Sequence, residues 1–381
     1  MKVIVLGGGL VGGPLALDLH RDQNFDVSVA DISVQALQRL KTAAPSLNVV
    51  QVDLSNTEIL KDLLREYHWV VNAVPGFMGF KTMRSILESK KDVVDIAFYS
   101  EDPFELDALA KEQGVTAIVD CGVAPGMTNL LTGHMAEQLD EIDTAITYVG
   151  GLPKVRTWPY EYKAVFSPVD VIEEYIRPAR YIRDGQMVVM PALSEPELLD
   201  FPGVGTLEAF NSDGLRTLAK TIPAKLMKEK TLRYIGHREK MAMMRESGFF
   251  GEEEIEINGS KVRPIDFTSK LLFAQWKLAE GEQDITVLKV FTEGTKDGKR
   301  MRHSYDLLDS YCTETHTHSM ARTTGYTASM AVRLLAQGLF VDKGIIPPEF
   351  IGRNKACVDF MLKGLKERGV IYQETIESLE S

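Results

Sequence analysis

The residues that point most directly to chemistry stand near the amino end. Gly7, Gly9 and Gly12 form a glycine turn, and Asp31 follows about 20 residues later. The first glycine permits a tight turn. The second lets the backbone approach a pyrophosphate, and the third lets a helix pack closely on a strand. Leu10 and Val11 complete the turn, and free N–H groups at a helix start there would meet phosphate charge. Asp31 would accept from adenosine ribose hydroxyls and repel a 2′-phosphate. Ile32 and Ser33 follow it, with no arginine, so the pattern predicts NAD rather than NADP. An acid at a strand end also reads as a helix cap.

Such a turn works only between a strand and a helix. Residues 3–6 are an apolar run, 14–21 have helical spacing, and 27–31 form a second strand. The alternation continues with helices over 33–42, 56–66, 80–90 and 103–113, and strands over 47–52, 68–73, 92–97 and 115–119. This rhythm predicts a Rossmann-type doubly wound parallel sheet in an α/β domain. Right-handed crossovers would bring the strand exits to one edge. Asp53, Asn72, Ala73, Pro75, Asp95 and Gly122 become candidates by that position alone. Asp53 would face the adenine or cap a helix. Pro125 with Gly126 reads either as a contact to the nicotinamide amide or as a plain boundary turn.

The pattern then changes. Strand candidates cover 141–150, 229–235, 255–257, 284–293 and 303–310, with hairpin signals at Asn258-Gly259 and Asp297-Gly298. Helical segments cover 167–175, 217–222, 237–245 and 264–278. This predicts a second, α+β domain with a mostly antiparallel sheet. Residues 321–337 and 354–367 read as helices that return to the first domain. The expected division is 1–125 for dinucleotide binding, 126–320 for substrate binding and oligomerisation, and 321–381 for the returning helices. A sheet face left open by its helices suits a homodimer or homotetramer.

Composition narrows the partners. With 54 acids against 43 lysines and arginines, the 381-residue chain carries a net charge of −11 and makes a poor nucleic-acid binder. No apolar run is long enough to span a membrane, and the first residues read as a strand, not a signal peptide. Three cysteines, Cys121, Cys312 and Cys357, build no disulfide framework. These features predict a cytoplasmic protein. His316 and His318, with His303, could share a strand face, but no further ligand pattern completes a metal site, so none is expected.

Beyond the glycine turn, the chain resembles the saccharopine dehydrogenase-like family. The likeness runs through Asp120-Cys121-Gly122-Val123-Ala124-Pro125-Gly126, Tyr148-Val149-Gly150-Gly151-Leu152-Pro153 and Leu207-Glu208-Ala209-Phe210. It continues through Arg233-Tyr234-Ile235-Gly236-His237-Arg238-Glu239-Lys240-Met241 and Met320-Ala321-Arg322-Thr323-Thr324-Gly325-Tyr326-Thr327. Saccharopine-forming members typically carry an aspartate where this chain has Ala124 and a tyrosine where it has Phe98. Their serine-arginine clamp is replaced by Asn211-Ser212-Asp213-Gly214. The resemblance, strongest to the lysine 6-dehydrogenase branch, therefore implies a smaller amine. It implies NAD-dependent oxidative deamination of L-lysine at the ε-amine, giving allysine, ammonia and NADH. The alternatives are a saccharopine- or carboxynorspermidine-type enzyme acting on a secondary amine, and a non-catalytic NAD sensor.

That reaction needs a neutral amine, because an ammonium has no lone pair to stabilise the developing iminium. His237 would carry the proton, and Asp95 would position or deprotonate the amine; each also reads as a cap. Arg233 or Arg238 would hold the α-carboxylate, or form salt bridges instead. Tyr160, Tyr162, Asn211 and Thr217 are weaker lining candidates.

Overall fold

The computed structural model describes residues 1–279 and 281–379. Short apolar runs rich in β-branched residues build the first sheet. Its strands are β1 (Lys2–Leu6), β2 (Asp26–Asp31), β3 (Asn48–Gln51), β4 (Trp69–Asn72), β5 (Asp92–Asp95) and β6 (Thr116–Ile118). Val3, Ile4, Val5 and Leu6 are all fully buried, as expected for a parallel strand covered on both faces. The order is β3-β2-β1-β4-β5-β6, all parallel, with one late strand added beyond β6. Order reverses between β1 and β2 on one side and β4 on the other, which places a crevice beside the glycine turn. The crossover helices start where their sequences say: Ser33 Oγ accepts from Ala36 N–H at 3.2 Å, and Asn56 Oδ1 accepts from Glu58 and Ile59 N–H at 3.2 Å.

The second sheet contains β7 (Glu141–Pro153), β8 (Ala179–Arg183), β9 (Gln186–Met190), β10 (Glu197–Phe201), β11 (Gly205–Asn211) and β12 (Leu226–Tyr234). After a separate hairpin of β13 (Ile255–Ile257) and β14 (Ser260–Val262), it resumes with β15 (Asp284–Lys296) and β16 (Lys299–Ser310). The strand added to the first sheet is β17 (Gly344–Ile346), and β18 (Gln373–Ser378) joins the second beside β16. The order is β10-β11-β12-β7-β15-β16-β18, with β8 beside β12 and β9 beside β8. Apart from the parallel pair β12 and β7, these neighbours are antiparallel. The fold class is thus a Rossmann-type parallel sheet followed by a mostly antiparallel α+β sheet.

Sequence periodicity missed β8 to β11, β17 and β18. β17 has three residues, too few for a period, and every residue of β18 is exposed, so neither carries an alternating pattern. The helix Ser319–Ala336 runs back along the helix Gly12–His20. Gly325 makes the approach possible, since a Cβ there would lie 3.3 Å from Leu15 Cβ and from the Val11 carbonyl. Asp18 anchors the contact, accepting from Arg333 at 2.8 Å, Arg368 at 2.8 Å and Ser329 at 2.6 Å. Among the described residues no helix is long and apolar enough to cross a membrane.

Candidate active site

A cleft of about 670 Å³ lies between the exits of the parallel strands and the second sheet. One wall is the glycine turn. A Cβ at Gly12 would lie 2.1 Å from the Gly7 carbonyl oxygen, so helix and turn touch there. At Gly9 nothing stands within 4 Å, which leaves room for a pyrophosphate on the cleft side. Asp31 closes this end, its Oδ2 accepting from Gly8 N–H at 2.6 Å and its Oδ1 from Ser33 N–H at 2.7 Å. An open glycine cradle, a helix start and an acid at the β2 exit fit a nicotinamide dinucleotide. Leu10, Val11, Ile32, Asp53, Ala73, Pro75, Gly122 and Pro125 line the same cleft. Asn72 does not. It stands beside Asp95 in register and turns inward, its Nδ2 donating to Asp95 Oδ1 at 2.7 Å.

The expected catalytic pair is not on the cleft wall. Asp95 is fully buried behind it, and burial, reinforced by the charge of Asp120, pushes its carboxyl well above the usual range. His237 is 0% exposed inside an aromatic cage of Tyr162, Tyr175 and Trp276. Its Nδ1 faces the Tyr160 carbonyl at 2.8 Å and its Nε2 the Tyr175 hydroxyl at 2.9 Å. Burial, then the Arg233 charge, lowers its pKa to about 3. With both ring nitrogens engaged inside the protein and the ring off the cleft wall, His237 does not stand where the expected proton carrier would meet a substrate.

Of the substrate candidates, Arg233 alone lines the cleft. It is fully buried, donating to Glu174 at 2.5 Å and to the Tyr175 hydroxyl at 3.3 Å. Its guanidinium lies 4.6 Å from the Tyr162 ring centroid. The other candidates stand behind it. Arg238 donates to the Leu193 carbonyl at 2.9 Å, and Asn211 to Ser194 and Glu195 at 3.2 Å. Tyr160 and Tyr162 pack edge-on against Trp276, and Thr217 is buried before the helix Leu218–Thr221.

Several cleft residues escaped sequence reasoning. Asp170, Glu173, Glu174 and Arg177 follow i, i+3, i+4, i+7 spacing, which sets them on one side of the helix Pro168–Ile176 and its end. On sequence alone such a stripe reads as a solvated face. Arg177 stacks 4.9 Å from the Phe98 ring centroid and donates to Glu173 at 3.2 Å. Among the described residues its buried Nη1 has no hydrogen-bond partner, which suits capture of a substrate carboxylate. Glu229, Thr231 and Arg233 alternate along β12 and share the cleft face. That period-2 signal was readable beside Arg233.

A dinucleotide cradle facing a charged second wall is the arrangement of an NAD(P)-binding oxidoreductase fold. The chain belongs to the saccharopine dehydrogenase family: residues 3–118 match the saccharopine dehydrogenase NADP binding domain and 122–370 its C-terminal domain. The carboxynorspermidine synthase of Vibrio cholerae is 25% identical, over 92% of each chain. The mitochondrial alpha-aminoadipic semialdehyde synthase of Mus musculus is 22% identical over 99% of this chain and 48% of its own length, so this chain spans about half of that relative. The fold is shared with the apo saccharopine dehydrogenase (L-Glu forming) of Saccharomyces cerevisiae, with a TM-score of 0.80, 20% identity and 99% of both chains covered.

Asp31 gives the first prediction. Replacing it with alanine removes the charge facing a 2′-phosphate. The NAD-over-NADP preference is expected to narrow by roughly tenfold or more, the worth of one charged hydrogen-bonding group. Competitive calorimetric titrations check this, and equal affinity of the parent protein for both cofactors contradicts it.

Proposed function

We propose that the protein catalyses NAD-linked oxidation of a secondary amine that carries an amino-acid end, giving an aldehyde and a primary amine, or the reverse reductive condensation. The observation that carries this reading is the two-signed cleft wall. Arg177 offers an unpartnered guanidinium nitrogen for a carboxylate. Glu229 offers a carboxyl with no cation paired to it among the described residues, which suits a positively charged nitrogen. Relatives named for saccharopine and carboxynorspermidine, matched over nearly all of this chain, support the same substrate class. The cofactor, when bound, supplies a hydride acceptor at nicotinamide C4. The protein's part is to bind and orient the amine, accept its proton and limit water.

A second reading is oxidative deamination of L-lysine at the ε-amine, the reaction of the lysine 6-dehydrogenase branch. It is favoured by Phe98 and Ala124, which both line the cleft and make that part of the wall apolar. Arg233 is also tied to Glu174, leaving fewer groups for a second carboxylate. Saccharopine, carboxynorspermidine and L-lysine, each supplied with NAD, separate the two readings when NADH and ammonia are followed together. The expected result is NADH from a secondary amine without ammonia. NADH with ammonia from L-lysine alone transfers the assignment to the second reading.

We propose that the division into 1–125, 126–320 and 321–381 serves this function by setting cofactor and substrate walls on separate units, with the last segment reaching both sheets, since β17 joins the first and β18 the second. We further expect a homodimer or homotetramer formed through the second sheet; light scattering should give at least twice the 42.5 kDa chain mass, and a monomer would refute it.

A further inference from the structure

Glu229 sits on β12 at the cleft, 6% exposed. Its Oε2 accepts from the Ser212 hydroxyl at 2.6 Å, and that hydroxyl also meets Thr231 Oγ1 at 2.7 Å. Gly214 makes the placement possible, because a Cβ there would lie 2.4 Å from the Glu229 Cδ. The charged groups around it are engaged elsewhere. Glu174, from the helix Pro168–Ile176, pairs with Arg233 at 2.5 Å, and Asp213, after β11, pairs with Arg180 at 2.8 Å. Glu229 is thus a cleft carboxyl held by the neutral Ser212 hydroxyl, which Thr231 holds in turn. A structural acid at such a place is normally matched to a cation, whereas one that exchanges protons needs a reversible charge.

We propose that Glu229 is the catalytic residue that takes the proton from the substrate amine as its C–H bond is oxidised, with Ser212 and Thr231 as positioning residues for its carboxyl. This rests on the amine-oxidation reading above and assigns its proton. The ammonium form, R–NH2⁺–CH2–R′, gives one N–H proton to the Glu229 carboxylate, which becomes a carboxylic acid. The freed lone pair forms the C=N bond as the C–H electron pair leaves as hydride to the dinucleotide. The products are an iminium, reduced dinucleotide and protonated Glu229. Water then adds to the iminium carbon, the C–N bond breaks, and aldehyde and amine leave. In reduction Glu229 returns the proton. Burial, reinforced by the charges of Glu174 and Asp213, raises its pKa to about 8, which suits exchange near neutral pH.

The test compares the full-length parent with Glu229→Gln and Ser212→Ala. Glu229→Gln should keep its thermal midpoint and calorimetric NAD affinity, while turnover falls roughly a hundredfold to ten-thousandfold. The parent's oxidation rate should rise as pH passes through about 8, where the carboxylate forms. Glu229→Gln should lose that limb and keep only the rise toward about 10.4, where the amine itself ionises. Ser212→Ala should move the limb to higher pH, because the carboxylate loses a donor. A readout free of activity is the infrared difference spectrum across this pH range, in which a carboxylic-acid band should vanish in Glu229→Gln. Parent-like turnover and pH profile in Glu229→Gln, with an active parent, overturn the proposal alone. A parent that oxidises no amine overturns the functional reading, and the proposal with it.

Discussion

A Gly9→Val variant should fold like the parent and lose nicotinamide dinucleotide binding. No atom lies within 4 Å of the position its Cβ would take, so the fold itself has room for a side chain. The space it would fill is that through which the turn backbone must approach the pyrophosphate. The expected loss in affinity exceeds about a hundredfold, since the phosphates would forfeit several charge-assisted contacts together. Gly12→Ala makes the informative contrast. Its Cβ would stand 2.1 Å from the Gly7 carbonyl, a backbone atom that cannot step aside without moving the turn. That variant should lose stability as well, by about 1–3 kcal/mol for forced overpacking. Calorimetry and thermal unfolding of both variants check the pair. Undiminished NAD binding in Gly9→Val refutes the cradle.

Arg216→Met is expected to be the most destabilising single change behind the cleft, where Arg216 backs the lining residue Asp120. Arg216 donates through Nε to both Asp120 oxygens at 3.1 Å and through Nη1 to the Tyr99 carbonyl at 2.7 Å. Both charged side chains are 1% exposed. The pair also joins the two sheets, because Asp120 follows β6 and Arg216 follows β11. Removing the guanidinium leaves a carboxylate and a carbonyl buried without their donor, at a cost of about 3–5 kcal/mol. The methionine replaces much of the volume, so the loss reports charge more than cavity. Denaturant unfolding gives the value. Combining the change with Asp120→Asn should recover part of it, since the stranded charge is then gone. A loss near zero in Arg216→Met would show that the pair does not hold the sheets together.

The cofactor half was far more legible in the sequence than the substrate half, for a physical reason. The glycine turn, the strand exits and Asp31 are local: their roles follow from spacing within one βαβ unit, so Gly7 to Asp31 could be placed without a fold in hand. Substrate groups come from distant segments. Glu229 and Ser212 are 17 residues apart and meet only because β11 and β12 pair. Residue type also misled. His237 is chemically suited to proton transfer, but Gly236 in the left-handed region starts its helix so that the ring turns into the aromatic cage. Asp95 lies at the correct sheet edge, yet in-register pairing with Asn72 keeps it behind the wall. Edge position identifies a set of candidates; it does not say which side chains turn outward. The charged stripe from Asp170 to Arg177 carries helical spacing that is the same for a solvated surface and for a cleft wall. Only tertiary packing distinguishes the two.

In the proposed reaction hydride passes from the carbon beside an amine nitrogen to a dinucleotide bound in this cleft. Isotope tracing tests it most directly. Saccharopine and carboxynorspermidine deuterated at the carbons bonded to the bridging nitrogen are turned over with NAD, and the dinucleotide is recovered and weighed by mass spectrometry. The expected result is reduced dinucleotide carrying a single deuterium from one of these substrates, and no label when Gly9→Val replaces the parent. Reduced dinucleotide without deuterium, or no reduction by any amine bearing the label, would contradict it.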